Sequence, residues 1–90
     1  MADTLLQLLV EGAVIARDVP VELTTESHDP SGTRWHGRLL LPAAVTLTLG
    51  TRCQLHFADG RRGDAEITRL GYGRASEPIR VFFRGQSPLR

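Results

Sequence analysis

Between Arg52 and Leu70 the chain alternates with a period of two on both sides of a Gly-containing turn, and this pattern constrains the fold more than any other feature. Cys53, Leu55 and Phe57 are apolar, with Gln54 and His56 between them. Ala58-Asp59-Gly60-Arg61 supplies turn chemistry, and Ala65 and Ile67 then alternate with Asp64, Glu66 and Thr68. A period of two turns one set of side chains inward and the other to water. Asp-Gly suits a tight hairpin that needs φ > 0. Residues 52–70 therefore read as a β-hairpin.

The same rhythm recurs along most of the chain. In the stretch from Arg34 to Leu41, Trp35, Leu39 and Leu41 fall in the inward phase, with Arg34, His36 and Arg38 outward. Gly37 shares the inward phase, where it leaves room for a ring or permits a bend. Pro42 ends this strand. Residues 79–84 form the last one, with Ile79, Val81 and Phe83 inward and Arg80, Phe82 and Arg84 outward. From Ala13 to Thr25 the chain reads as extended, with Val19, Val21 and Leu23 in one phase. Pro20 cannot donate to a ladder, which predicts an edge or a bend there. Val45, Leu47 and Leu49 alternate with threonines, as a short strand or an extended connection. Residues 27–32 and 71–78 are loops by composition.

Residues 4–11 are less decided. A short helix capped by Asp3 and stopped by Gly12 would bury Leu5, Leu8 and Leu9, with Leu6 as an optional member of that face. The rival is a first strand running through Gly12 into Ala13-Val14-Ile15-Ala16, because short apolar runs do not separate the two. The balance leans to the helix. The expected fold is mainly β: one antiparallel barrel or sandwich of five to six strands over residues 1–90, with that short N-terminal helix as an optional addition. Closing the sheet removes exposed edges.

Ninety residues suffice for one apolar core without staples. A single Cys excludes an internal disulfide and a Cys-cluster zinc site, and Cys53 reads as a small buried apolar group. All eleven basic residues are Arg, and the chain holds neither Lys nor Asn. Codons for both absent residues are A-rich, which points to a GC-rich, bacterial genome. A formal net charge of only +1 argues against a general nucleic-acid binder. Leu5 to Val10 is apolar, but Asp3 precedes it, Glu11 interrupts it and no basic residue leads it, unlike a secretory signal. No segment is long enough to span a bilayer. A cytoplasmic protein without a membrane partner is expected.

Ser27-His28-Asp29 holds the residue types of a hydrolase triad, but consecutively, whereas a working triad converges from different parts of a fold. It reads as turn chemistry. His36 and His56 both face outward; on adjacent strands they would be two ligands of a metal, yet no third ligand is in register. No metal site and no cofactor are expected. Arg62-Gly63-Asp64, the tripeptide that integrins recognise, reads as the descending arm of the hairpin. Gly71-Tyr72-Gly73 is too short for a dinucleotide fingerprint. Arg34 and Arg38 have the Arg-x-x-x-Arg spacing found in PilZ domains, small β-barrels that bind cyclic di-GMP, and the chain is similar to these in size and composition. The second motif of that family, Asp/Asn-x-Ser-x-x-Gly, has its nearest counterpart in Asp29-Pro30-Ser31-Gly32-Thr33-Arg34. That run precedes the Arg pair instead of following it and ends in Arg, so membership is not assigned.

The outward phase of the last strand carries the strongest functional signal. Phe82 between Arg80 and Arg84 can stack on a base or pack on a protein, and Arg34, His36 and Arg38 extend the face if the two strands are neighbours. The competing expectation is that the N-terminal segment covers Phe82 with its leucines. The reading is a non-enzymatic interaction module that binds a protein partner or itself, as a homodimer or larger homo-oligomer. The candidate residues are Arg34, His36, Arg38, Arg80, Phe82 and Arg84. Nucleotide or nucleic-acid binding through the same face is the alternative.

Overall fold

In the computed structural model the described residues form six strands: β1 (Thr4–Val10), β2 (Ala13–Thr25), β3 (Trp35–Leu41), β4 (Arg52–Phe57), β5 (Arg62–Gly71) and β6 (Ile79–Gly85). The structure describes residues 4–25, 34–42, 45, 47–74 and 77–89. The loop motif Ser27-His28-Asp29 and the PilZ-like run beginning at Asp29 lie outside the described residues, Arg34 excepted. All neighbouring strands are antiparallel, and the order β1-β2-β3-β6-β5-β4 closes into a barrel through the β1–β4 ladder. The sandwich alternative is thereby set aside.

The inward phase is dry. Trp35, Leu39, Leu41, Cys53, Leu55, Phe57, Ala65, Ile67, Val81 and Phe83 are all buried, and Val19, Val21, Leu6 and Leu8 complete the same cluster. Trp35 and Phe83 meet edge to face, with ring centroids 6.0 Å apart at 66°. Gly37 makes that room: a Cβ there would stand 2.7 Å from Phe83 Cζ.

Residues 4–10 are a strand, which corrects the helical expectation. A helix would have buried Leu5 beside Leu8 and Leu9; here Leu6 and Leu8 point inward and Leu5 is 38% exposed. Gly12 is not a helix stop. Glu11 and Gly12 both have positive φ, 53° and 80°, and join β1 to β2 as the two-residue turn of a hairpin. Tertiary pairing decides the outcome: β1 bonds to β2 on one side and β4 on the other, and without it both would be open edges.

The two hairpin turns exchange the roles that their sequences suggest. At Asp59-Gly60 only Gly60 has positive φ, at 97°, and the loop spans three residues closed by Phe57 N–H to Arg61 O at 2.8 Å. Asp59 Oδ1 accepts the Arg61 N–H at 3.0 Å, which holds its carboxyl below the usual carboxylate range.

Pro20 is on no barrel edge, because the sheet has closed. It stands one residue beyond the β2–β3 ladder, which ends at Val21↔Leu39, while β3 continues along β6 to Leu41↔Ile79. Asp18, with φ 51°, lies in a bulge just before it. Among the described residues between β3 and β4 there is no strand: Val45 N–H donates to Pro42 O at 3.0 Å and Thr51 N–H to Thr48 O at 3.3 Å, with Leu47 buried and Leu49 exposed. At the opposite mouth, residues after β6 fold back over Trp35. Its indole Nε1–H donates to Ser87 O at 2.7 Å, and Asp64 N–H donates to Ser87 Oγ at 3.0 Å.

Candidate interaction surface

β3 and β6 are neighbours, so the outward residues of both share one face. The register sets out three rungs across it. The first runs Thr24, His36, Arg84, Glu66; the second Glu22, Arg38, Phe82, Arg69; the third Leu40, Arg80, Gly71. Arg34 precedes the first β3 rung and is exposed. The six residues singled out from the sequence are thus brought together on one wall. β1 lies opposite β6 in the ring and turns Leu6 and Leu8 into the core, so the N-terminal segment does not cover Phe82. That expectation is overturned by ring order. Phe82 is half-buried under a different residue, Arg69, whose guanidinium carbon sits 5.6 Å from the ring centroid.

Charges on this wall are partly matched. Arg38 Nε donates to Glu22 Oε2 at 2.6 Å, and that hydrogen bond, then its charge, raises the guanidinium pKa and holds it protonated. Arg84 stands 4.0 Å from Glu66 Oε2. Among the described residues Arg80 has no ion pair, and its stem lies along Gly71. Beside Arg34, four arginines (Arg38, Arg69, Arg80, Arg84) therefore face two described carboxylates, Glu22 and Glu66, in a chain with eleven basic and ten acidic residues overall. The surplus is local.

Between these charges the surface is apolar and concave. Where β2 parts from β3, Pro20, Leu40 and Phe82 line a groove of about 320 Å³, with Glu22, Arg38 and Arg80 around it. Leu40 is 53% exposed. A second, more open concavity of about 890 Å³ lies towards the Trp35 mouth, beside Arg34, His36 and Arg84, and Phe82 borders both. Such an arrangement can seat an apolar side chain and pair with carboxylates or phosphates around it.

Pro20, Glu22, Leu40 and Arg69 belong to this surface although they are not among the six. Leu40 carried a signal, an apolar residue in an outward phase. Arg69 carried none: strict alternation from Ile67 would turn it inward, but a bulge between Ile67 and Arg69 places it opposite Phe82. No phase rule predicts where a bulge falls.

The other motifs separate. His36 on β3 and His56 on β4 occupy opposite walls, and no group of metal-ligating side chains stands together among the described residues. Arg62-Gly63-Asp64 opens β5 as extended strand, with Gly63 beneath the Trp35 ring. Cys53 is buried, and its thiol lies 3.6 Å from Ala65 O. Among the described residues no helix is long and apolar enough to cross a membrane. Comparison with protein-family models, with curated proteins and with solved structures finds no match to this chain.

Proposed function

We propose that this protein is a non-enzymatic, cytoplasmic interaction module that docks a protein partner, or a second copy of itself, on the outer face of β3 and β6. The observation that carries this reading is the apolar centre of Pro20, Leu40 and Phe82 within a ring of charged side chains. An apolar middle with a polar rim is the ordinary anatomy of a protein-binding patch. Large apolar residues clustered on a small barrel also cost free energy in water unless something covers them.

Nucleotide or nucleic-acid binding is the second reading, favoured by the five arginines beside an aromatic ring. It is the weaker of the two because Arg38 is already paired with Glu22 and Arg69 is stacked on Phe82.

A photo-reactive amino acid at position 40 or 82, introduced in cells that make the protein, tests both. The expected result is protein adducts at positions 40 and 82 and none at position 54 on the far wall. An adduct of twice the chain mass identifies a second copy. Adducts destroyed by nuclease but resistant to protease would transfer the reading to nucleic acid. Yields at 40 and 82 no higher than at 54 would end it.

A further inference from the structure

We infer that the occupant of this face is an extended acidic peptide segment of another protein, with one large apolar side chain seated in the groove beside Pro20 and Leu40. The inference rests on the docking reading above and adds the chemistry of the partner.

Two observations carry it. The first is charge: the wall presents Arg80, which has no ion pair among the described residues, Arg84 at 4.0 Å from the Glu66 carboxylate, and a surplus of guanidinium over carboxylate. A carboxylate placed against Arg80 gains a partner without displacing one. Arg38 stays with Glu22 at 2.6 Å and walls one side of the groove. The second is size. Strands spaced about 4.8 Å apart and rungs about 7 Å apart make the three-rung face roughly 15 Å in each direction. That footprint, on the order of 200 Å², falls well short of the roughly 800 Å² per partner of a stable globular interface. A single extended segment fits within it, whereas a second folded copy would have to reach well beyond this wall.

The groove sets the register of the segment. Leu40 and Arg80 are direct cross-strand partners, so an apolar side chain above Leu40 has Arg80 beside it. A carboxylate next to the apolar residue then lies by Arg80, and one about four residues along the extended segment reaches Arg84, two rungs away. A nucleic-acid strand would satisfy the arginines but leave the Pro20–Leu40 side of the groove without an apolar partner.

The test is a fluorescence-anisotropy titration of the full chain with a short labelled peptide carrying Leu-Trp between runs of Glu. Probes run beside it are an all-Glu peptide of equal charge and a single-stranded oligonucleotide. The expected result is micromolar binding of the Leu-Trp peptide, weakened at least about tenfold by Arg80→Glu and by Leu40→Ser, and unchanged by Arg62→Glu, at the end of β5 that pairs with His56 of β4. Circular dichroism of each variant confirms its fold, and all three sites are exposed. Equal affinity for the all-Glu peptide would overturn the inference, as would tighter binding of the oligonucleotide or insensitivity to Arg80→Glu. Crosslinks at position 40 with no peptide binding would sink this inference alone; absence of crosslinks would sink the docking reading beneath it.

Discussion

At Gly37, Gly63 and Gly85 the rings of Phe83 and Trp35 come so close to the backbone that no side chain fits. A Cβ on Gly63 would stand 2.6 Å from Trp35 Cζ2, and one on Gly37 would meet Phe83 and the Glu22 carbonyl. Gly37→Ala should therefore destabilise the barrel by about 1–3 kcal/mol through overpacking, measured by urea unfolding. Cys53 makes a separate prediction. Burial, and after it the Asp64 carboxylate, pushes its thiol up to about 12 from an ordinary 9.0. The folded chain keeps that proton where the unfolded chain has released it. The resulting stability is complete below about pH 9 and is lost as pH climbs through about 12. Native protein should resist alkylation at pH near 8 while the urea-unfolded chain reacts, and Cys53→Ala should remove this part of the alkaline fall in stability.

At the scale of elements, the β1–β2 hairpin carries a mismatch between turn and sequence. Glu11 occupies a left-handed conformation that favours Gly or Asn, at φ 53°. Glu11→Asn should raise stability by about 0.5–1 kcal/mol and Gly12→Ala should lower it by about 1 kcal/mol, both read from thermal melts. The same hairpin marks the boundary of what was legible from residues alone. Strands β3 to β6 announced themselves because half-buried walls force alternation, and Trp35, Leu55, Ile67 and Val81 all lie where a period of two places them. β1 did not, since Leu5-Leu6-Gln7-Leu8-Leu9 satisfies helical and extended patterns alike, and only its two strand neighbours decide. The candidate wall was half legible: Arg80, Phe82 and Arg84 stood out by phase, but their proximity to Arg38 required the β3–β6 pairing, and Arg69 required a bulge.

For the whole molecule, what matters is how closure distributes charge. A net charge of +1 describes a protein with little electrostatic preference, yet the ring order gathers arginines from β3, β5 and β6 on one wall. Such one-sided fields act on charged surfaces beyond what net charge suggests. The protein should be retained on a sulfonate cation exchanger near neutral pH and elute with added salt. Arg80→Glu combined with Arg84→Glu should advance that elution well beyond Arg62→Glu combined with Arg17→Glu, although both pairs change net charge equally. Matching elution of the two double variants would show that the charge is spread evenly.

The indole of Trp35 is 1% exposed and tied by its N–H to the Ser87 carbonyl, and the chain has a single tryptophan. Nature has thus placed one fluorophore beneath a strap of chain, where its emission colour senses water arriving at that mouth. If warming reddens the emission before far-ultraviolet ellipticity changes, the strap peels away while the strands are still paired. Simultaneous changes would mean that strap and barrel let go as one unit.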